Sequence, residues 1–262
     1  MSIALPARAK LNLDLAVLGR RPDGYHDVRT TLQAIDLHDL LTLAPAPKTE
    51  FTMSGLRVGN TTPPHNSVLK ALDALEKATN RQLPTRIHLH KQIPPGSGMG
   101  GASSDAATAL RALAALHHVT ADPQQIALHL GADVPFFLTG GTAIADGRGD
   151  HLTPIPTQPM WFAIAWPGVE LPTPDVYRAW DDMENPAASA SQANHLTQAA
   201  MRIEPRLKEF ANALNNNSKH AWQMTGSGSA FFLRTTTEEE GRHAASQLKC
   251  WTAVARSVGR WA

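Results

Sequence analysis

A glycine-rich segment at residues 93–107 leads directly into an alanine-rich helical pattern. Four of the six residues 96–101 are glycine, so the backbone there can adopt positive φ and approach a ligand closely. The helix predicted to follow presents unpaired N–H groups and the positive end of its dipole at the same place. Together these features predict an anion site suited to a phosphate.

Composition limits the class of protein. The 262 residues suffice for one large domain or two modest ones, and 42% are hydrophobic. A net charge of +1 gives no global field for nucleic acid or membrane, so neither partner is expected. Cys250 is the only cysteine, and residues 160–166, the longest apolar run, are too short to cross a membrane. With no signal-peptide pattern, we expect a soluble cytoplasmic protein.

Hydrophobic periodicity outlines alternating elements. It predicts strands at residues 10–18, 28–43, 86–91 and 161–166, and helices at residues 66–80 and 103–117 and from Asp122 onward. A loop is predicted at 183–195, followed by helix, strand, strand, helix and strand over 205–256. The composition changes near residues 147–150, so we expect one lobe at 1–150 and a second at 151–262.

The glycines also fit the dinucleotide pattern G-x-G-x-x-G at Gly96, Gly98 and Gly101. The context disagrees, because the strand before a dinucleotide loop is a continuous apolar run, whereas residues 86–91 include two histidines, an arginine and a lysine. No acidic residue ends a second strand about twenty residues later. The Gly-Lys-Ser/Thr of a P-loop and the Val-Ala-Ile-Lys and Asp-Phe-Gly motifs of protein kinases are absent.

Three motifs in order carry a family resemblance. They are residues 6–13 (PARAKLNL), the pattern P-x3-G-x-G-G-x-S-S-x-A-A at 94–107, and residues 225–229 (TGSGS). The chain thereby resembles the superfamily of galactokinase, homoserine kinase, mevalonate kinase and phosphomevalonate kinase. The resemblance implies an α+β, two-lobed small-molecule kinase fold. Its N-terminal α/β lobe would resemble ribosomal protein S5 domain 2, and its C-terminal α+β lobe would be ferredoxin-like.

Further segments narrow the resemblance. Residues 19–26 (GRRPDGYH), 130–137 (LGADVPFF) and 167–174 (PGVELPTP) look like those of the 4-diphosphocytidyl-2-C-methyl-D-erythritol kinases. That family implies ATP-dependent phosphorylation of the substrate's 2-hydroxyl, with Mg²⁺, in the non-mevalonate (methylerythritol phosphate) route to isoprenoid and terpenoid precursors. The substrate would be a cytidine-diphosphate-linked methylerythritol.

The resemblance assigns the catalytic pair to Lys10 and Asp133, with Asp133 as the base. Phosphoryl transfer to an alcohol needs in-line positioning, charge stabilisation and a group that receives the hydroxyl proton. Lys10 would pair with Asp133 and orient it. Asp133 could instead only cap a short helix beginning at Val134. Asn12 would be a neighbouring polar contact to the substrate.

The resemblance also assigns the binding residues. Tyr25 and His26 would recognise cytosine, and Tyr177 would be a second stacking aromatic; Thr173, Gly226 and Gly228 complete the expected substrate contacts. Those expected to hold the ATP phosphates are Pro94, Pro95, Gly96, Ser97, Gly98, Met99, Gly100, Gly101, Ala102, Ser103 and Ser104, with Asn66 and Lys91 near the adenine. One departure is His65, where relatives often carry Asp.

Two other functions remain open at this point. Another small-alcohol kinase of the superfamily would not need Tyr25, His26 or Tyr177. A non-catalytic nucleotide sensor would be free to lose Lys10 or Asp133, and both are present. His88 and His90 could suggest a metal pair, but a solvated strand face is the simpler interpretation because no third ligand is evident.

Overall fold

The protein is described here by a computed structural model covering residues 2–56, 66–183, 193–216 and 221–261. In these ranges seven strands form one sheet and four form a second, and helices pack against both. Helices and mixed sheets in this arrangement confirm the expected α+β class. No helix in the described ranges is long and apolar enough to span a membrane.

The elements follow in chain order. The first sheet contains β1 (Ile3–Asn12), β2 (Ala16–Arg20), β3 (His26–Pro45), β4 (Glu50–Gly55), β5 (Thr85–Lys91), β6 (Thr142–Asp146) and β7 (His151–Ile155). The second contains β8 (Trp161–Trp166), β9 (Gln223–Met224), β10 (Phe231–Thr235) and β11 (Trp251–Arg256). The helices are α1 (Ser67–Thr79), α2 (Gly101–His117), α3 (Pro123–Leu130), α4 (Val134–Thr139), α5 (Thr173–Asp181), α6 (Thr197–Ile203), α7 (Arg206–Asn216) and α8 (Glu238–Ser246).

The long strand β3 organises the first sheet, whose main order is β4-β5-β3-β6-β7. The second part of β3 pairs with β1 and its first part with β2. Strands β4 and β5 are parallel, and α1 makes the crossover between them. Helix α2 covers the sheet with a buried face rich in alanine, which lets it pack close to the strands and to α1 and α4.

The single strand predicted at residues 10–18 is wrong. The structure ends β1 at Asn12 and begins β2 at Ala16, and the carboxylate of Asp14 accepts hydrogen bonds from the N–H and hydroxyl of Thr31 (2.6 and 2.8 Å). The chain breaks there because the two strands pair with different parts of β3. Apolar alternation shows which side chains are buried, but it does not show a change of strand partner.

The second sheet has the order β11-β8-β10-β9, and each pairing is antiparallel. Helices α5, α6 and α7 precede β9, and α8 joins β10 to β11, so the order of elements and strands is ferredoxin-like. This confirms the helix, strand, strand, helix and strand predicted after residue 205. Most of the loop predicted at 183–195 lies outside the described residues.

The two sheets share a core. Buried side chains from both meet there, namely Ala9, Leu11, Ile35, Ile93, Met99, Phe162, Ile164, Trp166, Ala230, Phe232 and Ala255. The segment after β11 returns to the first sheet and its helices, where Val258 N–H donates to Ala34 O on β3 (2.9 Å) and Trp261 N–H donates to Thr139 O at the end of α4 (2.9 Å). The first sheet also runs on through β7, past residue 150. A division into lobes 1–150 and 151–262 stays a prediction.

Helix caps confirm several predicted boundaries. The side chain of Asn66 accepts from Val68 N–H and caps α1, which ends at Asn80 in the left-handed conformation. Asp122 caps α3 through Gln124 N–H. Thr237 and Glu240 form the capping box of α8, as the sequence Thr-Glu-Glu-Glu predicts.

Neighbouring leucines of β3 test the location of the core. Leu41 is fully buried and Leu40 is 38% exposed. We expect Leu41→Ala to lower the free energy of unfolding by about 2–5 kcal/mol, because it leaves a cavity. The matched control Leu40→Ala should cost much less, since its side chain already meets water. Urea unfolding measures both, and equal losses would contradict the described core.

Candidate active site

A cavity of about 1000 Å³ opens between the two sheets. It brings together most of the predicted site residues, from both halves of the chain. Those that line it are Lys10, Asn12, Tyr25, His26, Asn66, Lys91, Pro94, Pro95, Gly96, Ser97, Gly98, Gly100, Gly101, Ala102, Ser103, Asp133, Thr173, Tyr177 and Gly226. Met99, Ser104 and Gly228 do not line it; the Met99 side chain packs in the shared core instead.

The glycine loop, residues 94–100, carries positive φ angles at Gly96 (58°), Gly98 (77°) and Gly100 (72°). Gly100 is the N-cap of α2, with no side-chain capping bond, and Ser104 N–H donates to its carbonyl (2.9 Å). The N–H groups before Ser104 therefore have no partner within the helix and face the cavity. This geometry supports the predicted phosphate site.

The glycine loop is bound to the threonine turn, residues 225–230. Ser229 N–H donates to Gly96 O (3.1 Å), and Ala230 N–H donates to Ser97 O (3.0 Å). At Gly98 the backbones are so close that a Cβ would lie 2.2 Å from the carbonyl oxygen of Thr225. Glycine is therefore required at this position by contact as well as by φ.

The predicted catalytic pair is assembled in the cavity. Lys10 Nζ lies 3.6 Å from Asp133 Oδ2 and donates to Asn12 Oδ1 (2.5 Å). Asp133 is the N-cap residue of α4, but its side chain makes no capping bond. The carboxylate is thus available to the cavity, which favours the catalytic interpretation over helix capping. Lys10 N–H also donates to Met99 O (3.0 Å) and ties β1 to the glycine loop.

Asn12 is held by two threonines, of which only Thr225 lies in a sequence motif. Its Nδ2 donates to Thr30 Oγ1 (2.8 Å), and its backbone N–H donates to Thr225 Oγ1 (2.9 Å). Because Oδ1 accepts from Lys10, the oxygen and nitrogen of the Asn12 amide can be told apart, and the oxygen holds the lysine. A contact between Asn12 and the substrate stays a prediction. Neither contact was predicted, because Thr30 lies in none of the motifs and Thr225 is distant in sequence from Asn12.

Aromatic rings gather at the opposite end of the cavity. His26 stacks on Tyr177, with centroids 4.8 Å apart and planes at 24°, and meets Trp180 edge-on. The His26 Nε2–H donates to Asp181 Oδ1 (2.7 Å), which orients the ring. Burial, with the Asp133 charge nearby, raises the pKa of the Tyr177 hydroxyl, so this ring stays neutral across the physiological range.

Tyr25 is 56% exposed, and the guanidinium of Arg148 lies 5.0 Å from its ring centroid. Arg148 is itself held by Asp150 through Nη2 (3.0 Å). The arginine covers one face of the tyrosine and leaves the other for a planar ligand. Both residues line the cavity. Arg148 and Asp181 lie in none of the sequence motifs, so they were not predicted as site residues. The structure identifies each by its contact with a motif residue.

Lys91 is not free beside the adenine region. Its ammonium bonds the carboxylates of Asp39 and Asp105, the latter at 2.6 Å, in a buried triad next to the glycine loop. The side chain of Asn66 caps α1 and its Nδ2 contacts Met53 Sδ (3.5 Å). Adenine contacts by Asn66 and Lys91 stay predictions. His65 lies outside the described residues.

His88 and His90 both bond the hydroxyl of Ser54 (2.9 Å each), on a half-buried face of the first sheet. No group of three His, Cys, Asp or Glu side chains suited to a metal occurs in the part of the chain that the structure describes. The pair therefore has a structural partner in β4.

Comparison with known proteins defines the class. Residues 66–141 match the model of the GHMP kinases N terminal domain, and residues 175–252 match that of the GHMP kinases C terminal domain. Two solved structures share the fold. Homoserine kinase from Cytophaga hutchinsonii aligns with TM-score 0.71 at 18% identity, covering 99% of this chain and 95% of that one. Methanococcus jannaschii mevalonate kinase aligns with TM-score 0.69 at 13% identity, covering 99% of this chain and 98% of that one. The chain is a GHMP kinase.

More similar proteins specify the family. The chain is 37% identical to the 4-diphosphocytidyl-2-C-methyl-D-erythritol kinase of Thermus thermophilus, over 94% of this chain and 92% of that protein, and 36% identical to that of Alkalilimnicola ehrlichii, over 93% and 86%. A crystal structure of 4-(cytidine 5'-diphospho)-2C-methyl-D-erythritol kinase aligns with TM-score 0.81 at 34% identity, covering 98% of this chain and 100% of that one. The chain belongs to the 4-diphosphocytidyl-2-C-methyl-D-erythritol kinase family.

Two glycines with similar φ test the contact between the glycine loop and the threonine turn. Gly98 (φ +77°) would place a Cβ 2.2 Å from a carbonyl oxygen, whereas Gly24 (φ +86°) has nothing within 4 Å. We expect Gly24→Ala to cost about 1–2 kcal/mol of stability for its backbone alone. Gly98→Ala should cost clearly more and abolish ADP binding. Urea unfolding and calorimetry measure these effects; equal costs with intact binding would contradict the contact.

Proposed function

We propose that this chain transfers the γ-phosphoryl group of ATP to the 2-hydroxyl of 4-diphosphocytidyl-2-C-methyl-D-erythritol, in the methylerythritol phosphate route to isoprenoid precursors. One observation carries the proposal: the Lys10–Asp133 pair lies between the glycine loop and the aromatic end of a single cavity. A donor phosphate on one side and a base-linked alcohol on the other would meet at this pair.

The reaction follows from this placement. The free N–H groups and positive end of α2 bind the nucleotide phosphates, with Ser103 at the same turn. Asp133 Oδ2 accepts the proton of the 2-hydroxyl as the oxygen–phosphorus bond forms, and the bond to the β-phosphate oxygen breaks to release ADP. Lys10 orients the carboxylate and offsets negative charge on the transferred group.

We propose Mg²⁺ as the ion that accompanies ATP. This ion binds protein sites through few side chains and takes most of its other ligands from substrate phosphates and water. The donor set fits, because the Ser103 hydroxyl is an oxygen ligand that lines the cavity at the N-terminus of α2. When bound, Mg²⁺ would neutralise phosphate charge. The residues named above still do the positioning and receive the proton.

Cytosine recognition follows from the aromatic end. The free face of Tyr25 offers a stacking surface, and Tyr177 lines the same space. His26 bonds Asp181 through Nε2, which leaves its Nδ1 for a contact with the base. The arginines Arg20, Arg148 and Arg178 also line this end and would balance a diphosphate.

We propose a cytoplasmic location for the reaction. Cys250 is the only cysteine, so folding relies on no intrachain disulfide, and burial raises the pKa of its thiol.

The direct experiment is ADP release by the purified chain with Mg-ATP and one acceptor at a time. The acceptors are 4-diphosphocytidyl-2-C-methyl-D-erythritol, mevalonate, homoserine and galactose. Turnover with only the cytidylyl acceptor is the expected result. Turnover with another alcohol would keep phosphoryl transfer and overturn base recognition. ADP binding without turnover on any acceptor would instead indicate a nucleotide sensor.

Removing the proton acceptor tests the role of Asp133. We expect Asp133→Asn to lower kcat by at least ~10², because the amide cannot accept the hydroxyl proton. ADP affinity should be unchanged, since the α2 N-terminus is untouched. Steady-state kinetics and ADP calorimetry measure the two effects. A normal kcat in this variant would rule out Asp133 as the base.

The stacking face of Tyr25 is tested by a pair of variants. We expect Tyr25→Ala to weaken binding of the cytidylyl substrate by about 1–3 kcal/mol, the value of one stacked base, and to leave KM for ATP unchanged. The control Tyr25→Phe keeps the ring and should retain KM for the cytidylyl substrate. If alanine and phenylalanine behave alike, the tyrosine ring does not stack on the base.

A further inference from the structure

Arg148 lies in the tight turn that joins β6 to β7, at the aromatic end of the cavity. Within the turn, Gly149 N–H donates to Asp146 O (3.1 Å). On its other side the carbonyl of Gly147 accepts from Val28 N–H on β3 (2.7 Å). The backbone that carries Arg148 is therefore closed on itself and bound to the first sheet.

The guanidinium of Arg148 is held by a carboxylate of the same turn. Asp150 Oδ2 accepts from Nη2 (3.0 Å) and Nε (3.3 Å), and Oδ1 accepts from the backbone N–H of Arg148 (3.1 Å). Burial opposes the charge on Asp150, but the hydrogen bonds from Arg148 bring the pKa of Asp150 below its ordinary value, so the carboxylate is ionised at neutral pH. Two nitrogens bonded to one carboxylate fix the orientation of the guanidinium plane.

Tyr25 has a fixed backbone and an exposed ring. Its N–H donates to Asp23 Oδ1 (3.2 Å), and its carbonyl accepts from Arg21 N–H (2.7 Å), which fixes the turn between β2 and β3. The residue is 56% exposed, and backbone contacts alone do not hold its ring in one rotamer. A side chain that must be ordered when a ligand binds lowers the affinity for that ligand.

Arg148 supplies the constraint that the Tyr25 backbone does not. Its guanidinium carbon lies over the tyrosine ring, 5.0 Å from the centroid. A cation over an aromatic face is attracted by the π electrons, so this contact favours the rotamer in which Tyr25 lies against the arginine. Because both residues line the cavity, the opposite face of the ring is then presented to a ligand.

We propose that Arg148 is a positioning residue of the base site, and that its guanidinium, the Tyr25 ring and the pyrimidine base form a three-layer stack. The arginine holds the ring in its binding rotamer before the substrate arrives. The inference rests on the proposed function, because it concerns how that same site binds the cytidylyl substrate. Since Arg148 acts through Tyr25, its contribution disappears when the ring is removed.

A second role for the same side chain has to be separated from this one. The charge of Arg148 could instead act directly on the diphosphate of the substrate. Two carboxylates already offset that charge: Asp150 by its ion pair, and Asp23 from the neighbouring turn. Burial opposes the charge on Asp23, but Tyr25 N–H, Arg21 and the charge of Arg148 lower the pKa of Asp23. We therefore expect most of the effect of Arg148 to come from the ring.

The test is a double-mutant cycle on KM for the cytidylyl substrate. Arg148→Met removes the guanidinium and keeps an unbranched stem. We expect it to raise this KM by about 3- to 10-fold, the cost of ordering one side chain on binding, with kcat and the KM for ATP unchanged. In a chain that already carries Tyr25→Ala, the same change should alter KM by less than about 2-fold, because no ring is left to position.

Cytidine binding, measured by calorimetry without ATP, gives a readout that does not depend on turnover. Cytidine has the base and no phosphate, so a charge that acts on a diphosphate has no effect on it. We expect Arg148→Met to weaken cytidine binding by the same factor as it raises KM. The matched control Arg29→Met removes an arginine whose Nη1 lies 3.6 Å from Asp146 Oδ1, next to the same turn, and should change neither value.

A second variant, Arg148→Lys, keeps the positive charge and the long stem. It lacks the planar group that bonds Asp150 through two nitrogens and covers the ring. We expect its KM for the cytidylyl substrate to stay close to that of Arg148→Met, and the same cycle with Tyr25→Ala applies to it if the methionine variant does not fold. Recovery of the parent KM by lysine would show that charge alone is sufficient, and would overturn the proposal.

The other outcomes separate the role of Arg148 from the function on which it rests. An unchanged KM in Arg148→Met overturns the positioning role, and so does an equal rise in KM with and without the Tyr25 ring. Unchanged cytidine affinity beside a raised KM would assign Arg148 to the diphosphate and leave the kinase function standing. A lower kcat or a higher KM for ATP would indicate a general structural role. A parent chain that does not turn over the cytidylyl acceptor overturns the proposed function, and the positioning role with it.

Discussion

The contact between the glycine loop and the threonine turn supports the rest of the active site. Two backbone hydrogen bonds and the close approach at Gly98 join a loop of the first sheet to a turn of the second. Asn194 holds the same turn from its other side, with Nδ2 donating to the carbonyls of Met224 (2.9 Å) and Gly226 (2.8 Å). Backbone groups satisfied in this way leave little freedom for the loop, so the start of α2 is fixed before any ligand arrives.

The proposed catalytic groups depend on that contact. Thr225, at the start of the turn, accepts from the backbone of Asn12, and Asn12 in turn accepts from the ammonium of Lys10. A chain of hydrogen bonds therefore runs from the second sheet to Lys10, which pairs with Asp133. Positions of reacting groups matter strongly for phosphoryl transfer, because the protein contributes placement and charge more than covalent chemistry. The contacts that join the two sheets therefore also position the proposed catalytic groups.

Short segments of the sequence were enough to predict many helix boundaries, the fold class and the family. The helix starts predicted at residues 66 and 122 and the capping box of α8 depend on short-range signals, and the structure confirms them. The α+β class and the kinase family came from motifs and were also confirmed. The strand at 10–18 was wrong, because periodicity does not show which strand is a partner.

Long-range polar contacts could not be predicted. The triad joins residues 39, 91 and 105, and His26 at the start of β3 meets Asp181 at the end of α5. Neither contact follows a regular sequence spacing that could have predicted it, because only the fold brings these side chains together. The roles assigned to individual site residues rest on resemblance, and the structure adds that most of them line one cavity.

The most direct measurement is a crystal structure of the chain with a non-hydrolysable ATP analogue and 4-diphosphocytidyl-2-C-methyl-D-erythritol bound together. The account predicts the phosphates at the N-terminus of α2, cytosine on the free face of Tyr25, and the 2-hydroxyl within hydrogen-bond distance of Asp133 Oδ2. A complex with the two ligands in separate sites, or with the hydroxyl turned away from Asp133, would contradict it.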